Sequence, residues 1–491
     1  MSDPSRRDVP QPGRQRSYWL REALAAEADA AEADATPAAP GDSSTFDVVV
    51  VGGGYTGLWT AYFLTDADPG IRVAIVEQDI CGGGPSGRNG GFLHGWWDQL
   101  PLLEELYGPE RALAVASEAD AAVDGVRAFC ERHGVDAWFR RAGYLRVSAS
   151  VAQDGDGDDA VASCRRLGVA DELVELTPAE VRARCASPAF RGGVLMPNAA
   201  TIQPARLARG LRRVLLERGV TIHEGTRATG IAVDGTVVVR AGDLRLRADR
   251  AVLAVNAWAA GWPRHRSSLV AWGSYMVLTE PAPAILERMG WTGGEAITDS
   301  RFTVHYFRTT PDGRVAFGAG VGAAGYGGRI GGSFERDAHA VGRAIAGLRR
   351  LLPDLAGTAV TEAWGGPIDV SSDRLPIIGT THRGRVHHAY GYSGNGVGPA
   401  HLVGRILAAR IGATGDPVAQ LPIADRAVRR FPPEPIRYVG ARIVREALIR
   451  RDEVSDRDRR PGPVVRLLVR LPRLLGYRLG PARPARPVDP N

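Results

Sequence analysis

Three glycines, Gly52, Gly54 and Gly57, form a G-x-G-x-x-G directly after the apolar run Val48 to Val51, and an acid, Glu77, stands 20 residues past the third. In such a turn the first glycine permits the tight bend, the second lets main chain approach a pyrophosphate, and the third lets helix and strand pack closely. Tyr55 and Thr56 lie inside the turn, and Leu58, Ala61, Tyr62 and Leu64 follow at helical spacing, so a helix N-terminus offers its free N–H groups to an anion. Ile71 to Val76 reads as the next buried strand. Glu77 and Gln78 end it, where a carboxylate accepts hydrogen bonds from an unphosphorylated ribose. This is dinucleotide-binding chemistry, and the motif does not choose between FAD and NAD.

A second glycine turn, HHAYGYSGNGVG at 387–398, feeds a helix expected over Pro399 to Ile411. Two anion-friendly turns so far apart point to one large ligand held at both ends. Between them, RFTVHYFR at 301–308 alternates as a strand, with Arg301, Thr303, His305 and Phe307 on one face and Phe302, Val304, Tyr306 and Arg308 on the other. Arg301, His305 and Tyr306 are the catalytic candidates. Arg301 or Arg308 could hold a substrate carboxylate bidentately. Trp96 and Trp97 could wall a pocket, although core packing is the commoner fate of such residues.

The elements that must position these residues are legible in outline. Val48–Val51, Ile71–Val76 and the late apolar run Ala251–Val255 suit one buried parallel sheet. Leu145–Val147, Leu269–Leu278, Phe302–Phe307 and Arg314–Gly318 suit a second, antiparallel one, with Pro311-Asp312-Gly313 a turn. Leu102 to His133 is helically periodic, Thr177 to Glu180 is a capping box, Asp234-Gly235 marks a hairpin, and Ala338 to Leu352 reads as a helix. Tyr18, Trp19, Leu20 and Leu24 could dock a short helix, followed by an Ala/Asp/Glu linker; a disordered leader is the alternative.

Composition removes whole classes of chemistry. All 61 basic residues among the 491 are arginine, so Walker-type NTPases and lysine Schiff-base enzymes are excluded. Thirteen arginines against six acids from Ala441 to Asn491 make +7 of the formal +6, leaving the body near −1. The basicity is that of a tail, not of a nucleic-acid groove. Cys81, Cys130, Cys164 and Cys185 lack metal spacing and read as reduced thiols in a cytoplasmic protein. No metal is expected. The N-terminal arginines precede no apolar h-region, and no window reaches the ~20 apolar residues of a membrane span. Val464 to Leu479 alternates apolar residues with arginines, suiting a docked surface helix, a partner contact or an anionic membrane surface.

Taken together, the G-x-G-x-x-G with Glu77, the PSGRNGG of Pro85–Gly91, the strand end Ala254–Trp258, and Trp364-Gly365-Gly366 with Gly391–Gly398 resemble the FAD-dependent amine and amino-acid oxidoreductases of the D-amino-acid oxidase superfamily. The γ-glutamylputrescine oxidoreductase type is the nearest branch. The resemblance implies an α/β plus α+β protein, a Rossmann-type FAD-binding domain (45–100, 196–264, 360–425) interleaved with an antiparallel-sheet substrate domain (101–195, 265–359). A polar leader (1–44) and a basic extension (426–491) flank them.

It further implies that Gly52, Gly54, Gly57 and Glu77 hold the adenosine end, and that Ser86, Arg88, Asn89, Gly90 and Gly91 run along the pyrophosphate, ribityl chain and flavin. Ala228 falls on the adenine side, Asn256 at the phosphates, Gly365 in the closing motif, and Gly394, Asn395, Gly396 and Val397 at the flavin pyrimidine edge. Arg88-Asn89 stands where some relatives attach flavin through histidine, and no cysteine follows Cys185, so FAD is expected to be noncovalent, with His94 the residual candidate for attachment. The implied reaction is hydride transfer from a C–H beside nitrogen to flavin N5, then hydrolysis of the imine, with O2 or another electron acceptor. Several relatives place a lysine over the flavin; this chain has none, so oxidase and dehydrogenase both stay open. Oxidation of a hydroxy acid on the same fold, and a nonenzymatic FAD-binding protein, are the alternatives.

Overall fold

The computed structural model of the protein describes residues 16–31, 45–320 and 322–479. Thr45–Val51, whose segment Val48–Val51 is β-branched, continuously apolar and buried, runs through the middle of an eight-stranded sheet, as a strand covered on both faces must. It is parallel to Val73–Val76 on one side and to Leu244–Leu253 on the other. Thr221–His223 and Val386–Tyr390 extend the parallel core outwards. Val49 pairs with Ala251 and Val51 with Leu253, so the late apolar run joins the first strand as expected. The hairpin Ala228–Asp234/Thr236–Ala241, turning at Gly235 with φ 65°, and the strand Ile377–Thr381 are antiparallel additions.

The helices that follow the two glycine turns, Tyr55–Ala67 and Val397–Gly412, lie against each other. Gly404 makes this possible, because a Cβ there would stand 2.5 Å from Trp59 Cβ. Two motifs more than 300 residues apart in sequence therefore begin side by side in space.

The second eight-stranded sheet runs in the order Val360–Val370, Val270–Thr279, Val315–Ala319, His305–Thr309, Ala296–Asp299, Tyr144–Val147, Gly193–Met196, Val174–Leu176. Only the Ala296–Asp299/Tyr144–Val147 pair is parallel. Helix Ala338–Leu351, capped by Asp337, covers its back through Val341, Ala344 and Leu348 on Val277, Phe307 and Phe317.

Several expectations change. Val360–Val370 was expected in the FAD-binding domain, yet it pairs along its length with Val270–Thr279 in the second sheet. The strand expected from Phe302 begins at His305, because Thr303 N donates to Asp452 Oδ2 (2.8 Å) and His305 N to Asp299 Oδ1 (2.8 Å), side-chain acceptors in place of main-chain carbonyls. The helical stretch from Leu102 is two helices, Leu100–Tyr107 and Pro109–His133, parted at Gly108 with φ 79°. Near the N-terminus Tyr18–Ala31 is a helix, with Trp19 and Leu20 fully buried beside Met276, Leu278 and Trp364. The remainder of the expected linker, 32–44, lies outside the described residues. The basic extension contains helices Ile436–Ser455 and Pro463–Leu474, which pack on each other through Ala447, Leu448 and Val469. Among the described residues no helix is long and apolar enough to cross a membrane.

Candidate functional site

A cavity of about 810 Å³ opens at the C-terminal ends of the parallel strands, the place where open α/β sheets receive ligands. Gly52, Gly54, Tyr55 and Thr56 from the first turn line it, with Glu77, Gln78, Arg227, Ala228, Asn256, and Gly394, Gly396 and Val397 from the second. Gly52 has φ 113°, and its absent Cβ would meet Ala254 O at 2.3 Å. Gly57 is off the cavity; a Cβ there would stand 2.0 Å from Gly52 O, so it seats the helix on the turn. Neither Gly54 nor Gly396, the N-cap residues, supplies a side-chain cap. The first-turn N–H groups of two helices thus face one cavity. Thr56 Oγ1 and Tyr392 OH, 2.7 Å apart, tie the two turns together.

Glu77 accepts from Gly53 N (2.8 Å) and Asp79 N (2.9 Å), one bond on each oxygen, which leaves a further lone pair on each for the cavity. Burial raises its pKa, opposed by those two N–H bonds. Asn256 is held at φ 46°, and its Oδ1 is buried without a partner.

The loop after Glu77 is organised by its own side chains. Asn89 Nδ2 donates to Pro85 O and Ser86 O (3.0 and 3.1 Å), Asn89 Oδ1 accepts from Gly91 N (2.7 Å), and Ser86 Oγ accepts from Tyr55 N (2.9 Å). Arg88 braces the loop against the second sheet through Gly83 O (2.9 Å) and Gly365 O (3.1 Å). Gly91 and Gly365 line neither this cavity nor the adjoining one described next. Each serves packing: a Cβ would come 2.0 Å from Ile202 O at Gly91 and 2.3 Å from Phe334 O at Gly365.

The second cavity, of about 570 Å³, lies between this loop and the second sheet. It shares Pro85, Asn89, Pro367, Ile368, Gly394 and Val397 with the first, so the two meet at one wall. Arg88, Gly90, Asn395, His94, Arg301 and Tyr306 face it, whereas His305, Arg308, Trp96 and Trp97 do not. Tyr306 packs over Gly90 and Gly318, its OH 2.8 Å from Ser274 Oγ, and burial pushes its phenol up to about 12. Arg301 is drawn back by His305 Nε2 (3.1 Å) and by Asp452 and Asp456 of the extension (3.7 and 3.6 Å). His305 faces the covering helix, Nδ1 2.6 Å from Asp299. Arg308 is buried, donating to Ile202 O and Thr309 O beneath Trp19. The two faces of the expected strand are both real from His305 onward, but neither basic residue proposed for a carboxylate is free to take one.

Arg374 was not anticipated. It faces the second cavity, exposed to it, from a left-handed backbone at φ 69°, a conformation non-glycine residues rarely adopt. Among the described acids and arginines lining this cavity, it is the one that makes neither a hydrogen bond nor an ion pair. Asp98 and Asp156 approach Arg146, Glu105 holds Arg478, Asp373 holds Arg426, and Arg451 approaches Asp452. The Phe302 ring lies 5.9 Å from its guanidinium, and Asp98 and Asp156 act on it across the cavity without pairing with it. The enclosing protein lowers its pKa, countered by Asp98. In sequence it sits in SSDRLP, a loop pattern without a chemical signature.

The family model described as FAD dependent oxidoreductase (DAO) matches residues 47–410. A probable oxidoreductase OrdL of Rhizobium meliloti is 33% identical over 76% of this chain and 84% of its own length. The gamma-glutamylputrescine oxidoreductase of Escherichia coli K12 is 29% identical over 75% and 84%. In fold, the crystal structure of glycine oxidase from Geobacillus kaustophilus superposes with a TM-score of 0.61, at 21% identity over 79% of this chain and 97% of that one. The residues of the larger cavity fit FAD. Two helix starts whose N-cap residues are glycines meet the charge of a pyrophosphate, the orphaned Asn256 oxygen awaits a donor, and Glu77 keeps acceptor capacity for a ribose.

Proposed function

Since the chain belongs to the FAD-dependent oxidoreductases of the DAO family, enzymes acting on amines or amino acids, we propose that it oxidises the C–N bond of an amine carrying a carboxylate, bound in the second cavity. The observation that carries this reading is Arg374, an unpaired guanidinium on the cavity that shares a wall with the FAD site. FAD, when bound, supplies the two-electron acceptor.

The chain's own residues do the rest. Arg374 holds the carboxylate through its planar fork, which fixes the orientation of the substrate as well as its affinity. Tyr306, kept neutral by burial, stands beside Gly90 as a hydroxyl donor or acceptor for the substrate nitrogen. The amine must be neutral for its C–H bond to give up hydride, so the substrate reacts as the free base. Gly394 and the start of helix Val397–Gly412 place positive backbone dipoles at the shared wall, where they would stabilise negative charge on an acceptor bound there. Water then hydrolyses the imine left on the substrate. Glu77, Gln78, Ala228 and Asn256 hold the adenosine and phosphate end in this reading.

Steady-state kinetics on matched amines with and without a carboxylate test it. The carboxylated members are expected to show the lower KM by about 10- to 100-fold, the range of a charge-assisted pair. Equal KM values across the pairs refute the role of Arg374. Peroxide measured in air then separates oxidase from dehydrogenase.

A further inference from the structure

The family match ends at residue 410, yet the extension beyond it reaches the catalytic half of the molecule. Arg451, Arg473 and Arg478 line the second cavity, and Asp452 fixes Thr303. What the outer surface of this extension does is assigned by neither the fold nor the family.

That surface is the most apolar exterior of the described chain. Of its ten exposed large hydrophobic side chains, seven lie on the two extension helices and an eighth, Leu475, directly after the second. On Pro463–Leu474 and the residue after it, Val464, Leu467, Leu471, Leu474 and Leu475 recur at spacings of three and four, so they form one stripe. Leu474 is 72% and Leu467 61% exposed, although a neighbouring face of the same helix buries Val469 and Pro472 on the protein. Ile436, Val439 and Ile443 repeat the pattern on the other helix.

The stripe has a charged border of one sign. Arg466 and Arg470 are exposed along it and make no ion pair among the described residues, and the helix contains no acid. A protein-facing stripe needs only apolar complementarity. A helix with leucines on one side, arginines beside them and no carboxylate matches a surface that is apolar inside and anionic outside. We infer that the extension docks the enzyme peripherally on an anionic lipid bilayer, Pro463–Leu474 lying in the interface with its leucines in the acyl boundary and Arg466 and Arg470 at the headgroups.

The test is co-sedimentation of the full-length FAD-loaded protein with vesicles of phosphatidylcholine alone or mixed with phosphatidylglycerol, at low and high salt. The protein is expected to pellet with the mixed vesicles and to be released by salt. Leu467→Asp with Leu474→Asp is expected to lower partitioning at least about tenfold, and Arg466→Gln with Arg470→Gln to remove the preference for the anionic vesicles. Both pairs should leave turnover and thermal stability unchanged, since these side chains project into solvent. The inference is overturned if no vesicle pellets the protein, or if pelleting ignores both double variants. It is equally overturned if the leucine pair instead abolishes self-association in a protein that does not sediment with lipid.

Discussion

At the residue scale, Arg374 and Asp369 are the two groups whose surroundings set testable behaviour. A left-handed arginine without a partner is costly to keep, which is why such outliers collect where ligands bind. Arg374→Gln is expected to raise KM for a carboxylated amine by about 10- to 100-fold while changing KM for an uncharged amine less than about threefold. Arg374→Gly, which accepts φ 69° without strain, should match it in KM and hold its melting temperature. A uniform loss of rate on both substrates would assign the residue a structural role. Asp369 lines the FAD cavity; burial raises its pKa to about 7, against the N–H bond from Gly391. Between about pH 4 and pH 7 the folded state keeps a proton that the unfolded state has lost, so stability declines as pH rises through that window. Asp369→Asn, titrated by thermal melts, should flatten the decline; an unchanged slope contradicts the assignment. None of this was legible beforehand, because being unpaired or desolvated is a property of tertiary surroundings. Alternation likewise could not separate Arg301, held by Asp452 and Asp456, from Arg308, spent on Ile202 O.

At the scale of elements, the glycine turns could be read from sequence because their work is done by main chain, where residue type and spacing are the whole signal. The strand Val360–Val370 could not be placed, since Gly365 and Gly366 blur its alternation and its ten-residue partner is nearly a hundred positions away. The N-terminal helix carries a prediction of its own. Ser17 Oγ donates to Gly87 O (2.5 Å), and Glu27 holds Arg209 (2.6 Å), which with Arg212 holds Glu224, the acceptor for Cys81 N (2.7 Å). The helix thus braces the FAD loop near both of its ends. Trp19→Ala should cost about 3–5 kcal/mol by calorimetry or denaturant titration, as the loss of a fully buried indole does. Ser17→Ala should weaken FAD binding by about threefold to tenfold, the worth of one hydrogen bond, with little change in KM. FAD affinity unmoved by both would mean that the helix only covers apolar surface.

At the scale of the whole molecule, the chain has two sheets whose cavities meet at six shared residues. In the proposed reading one sheet and two helix starts receive the dinucleotide, and the other presents Tyr306, with Arg374 on the opposite loop, to the substrate. The absence of lysine, visible at once in the composition, carries through to this level: every permanent cation on the cavity is an arginine, planar and suited to holding a carboxylate rather than to moving a proton. The fold class and the first cavity followed from motifs; the second cavity did not, because its walls come from loops, strand faces and the C-terminal extension, which share no pattern. Carbon–nitrogen bond oxidation at that shared wall is tested by anaerobic mixing of the FAD-loaded protein with an amino acid and with the hydroxy acid of the same skeleton. The amino acid is expected to bleach the flavin and the hydroxy acid to leave it oxidised; bleaching by the hydroxy acid alone, or by no member of a broad set of such pairs, would contradict oxidation at the carbon–nitrogen bond.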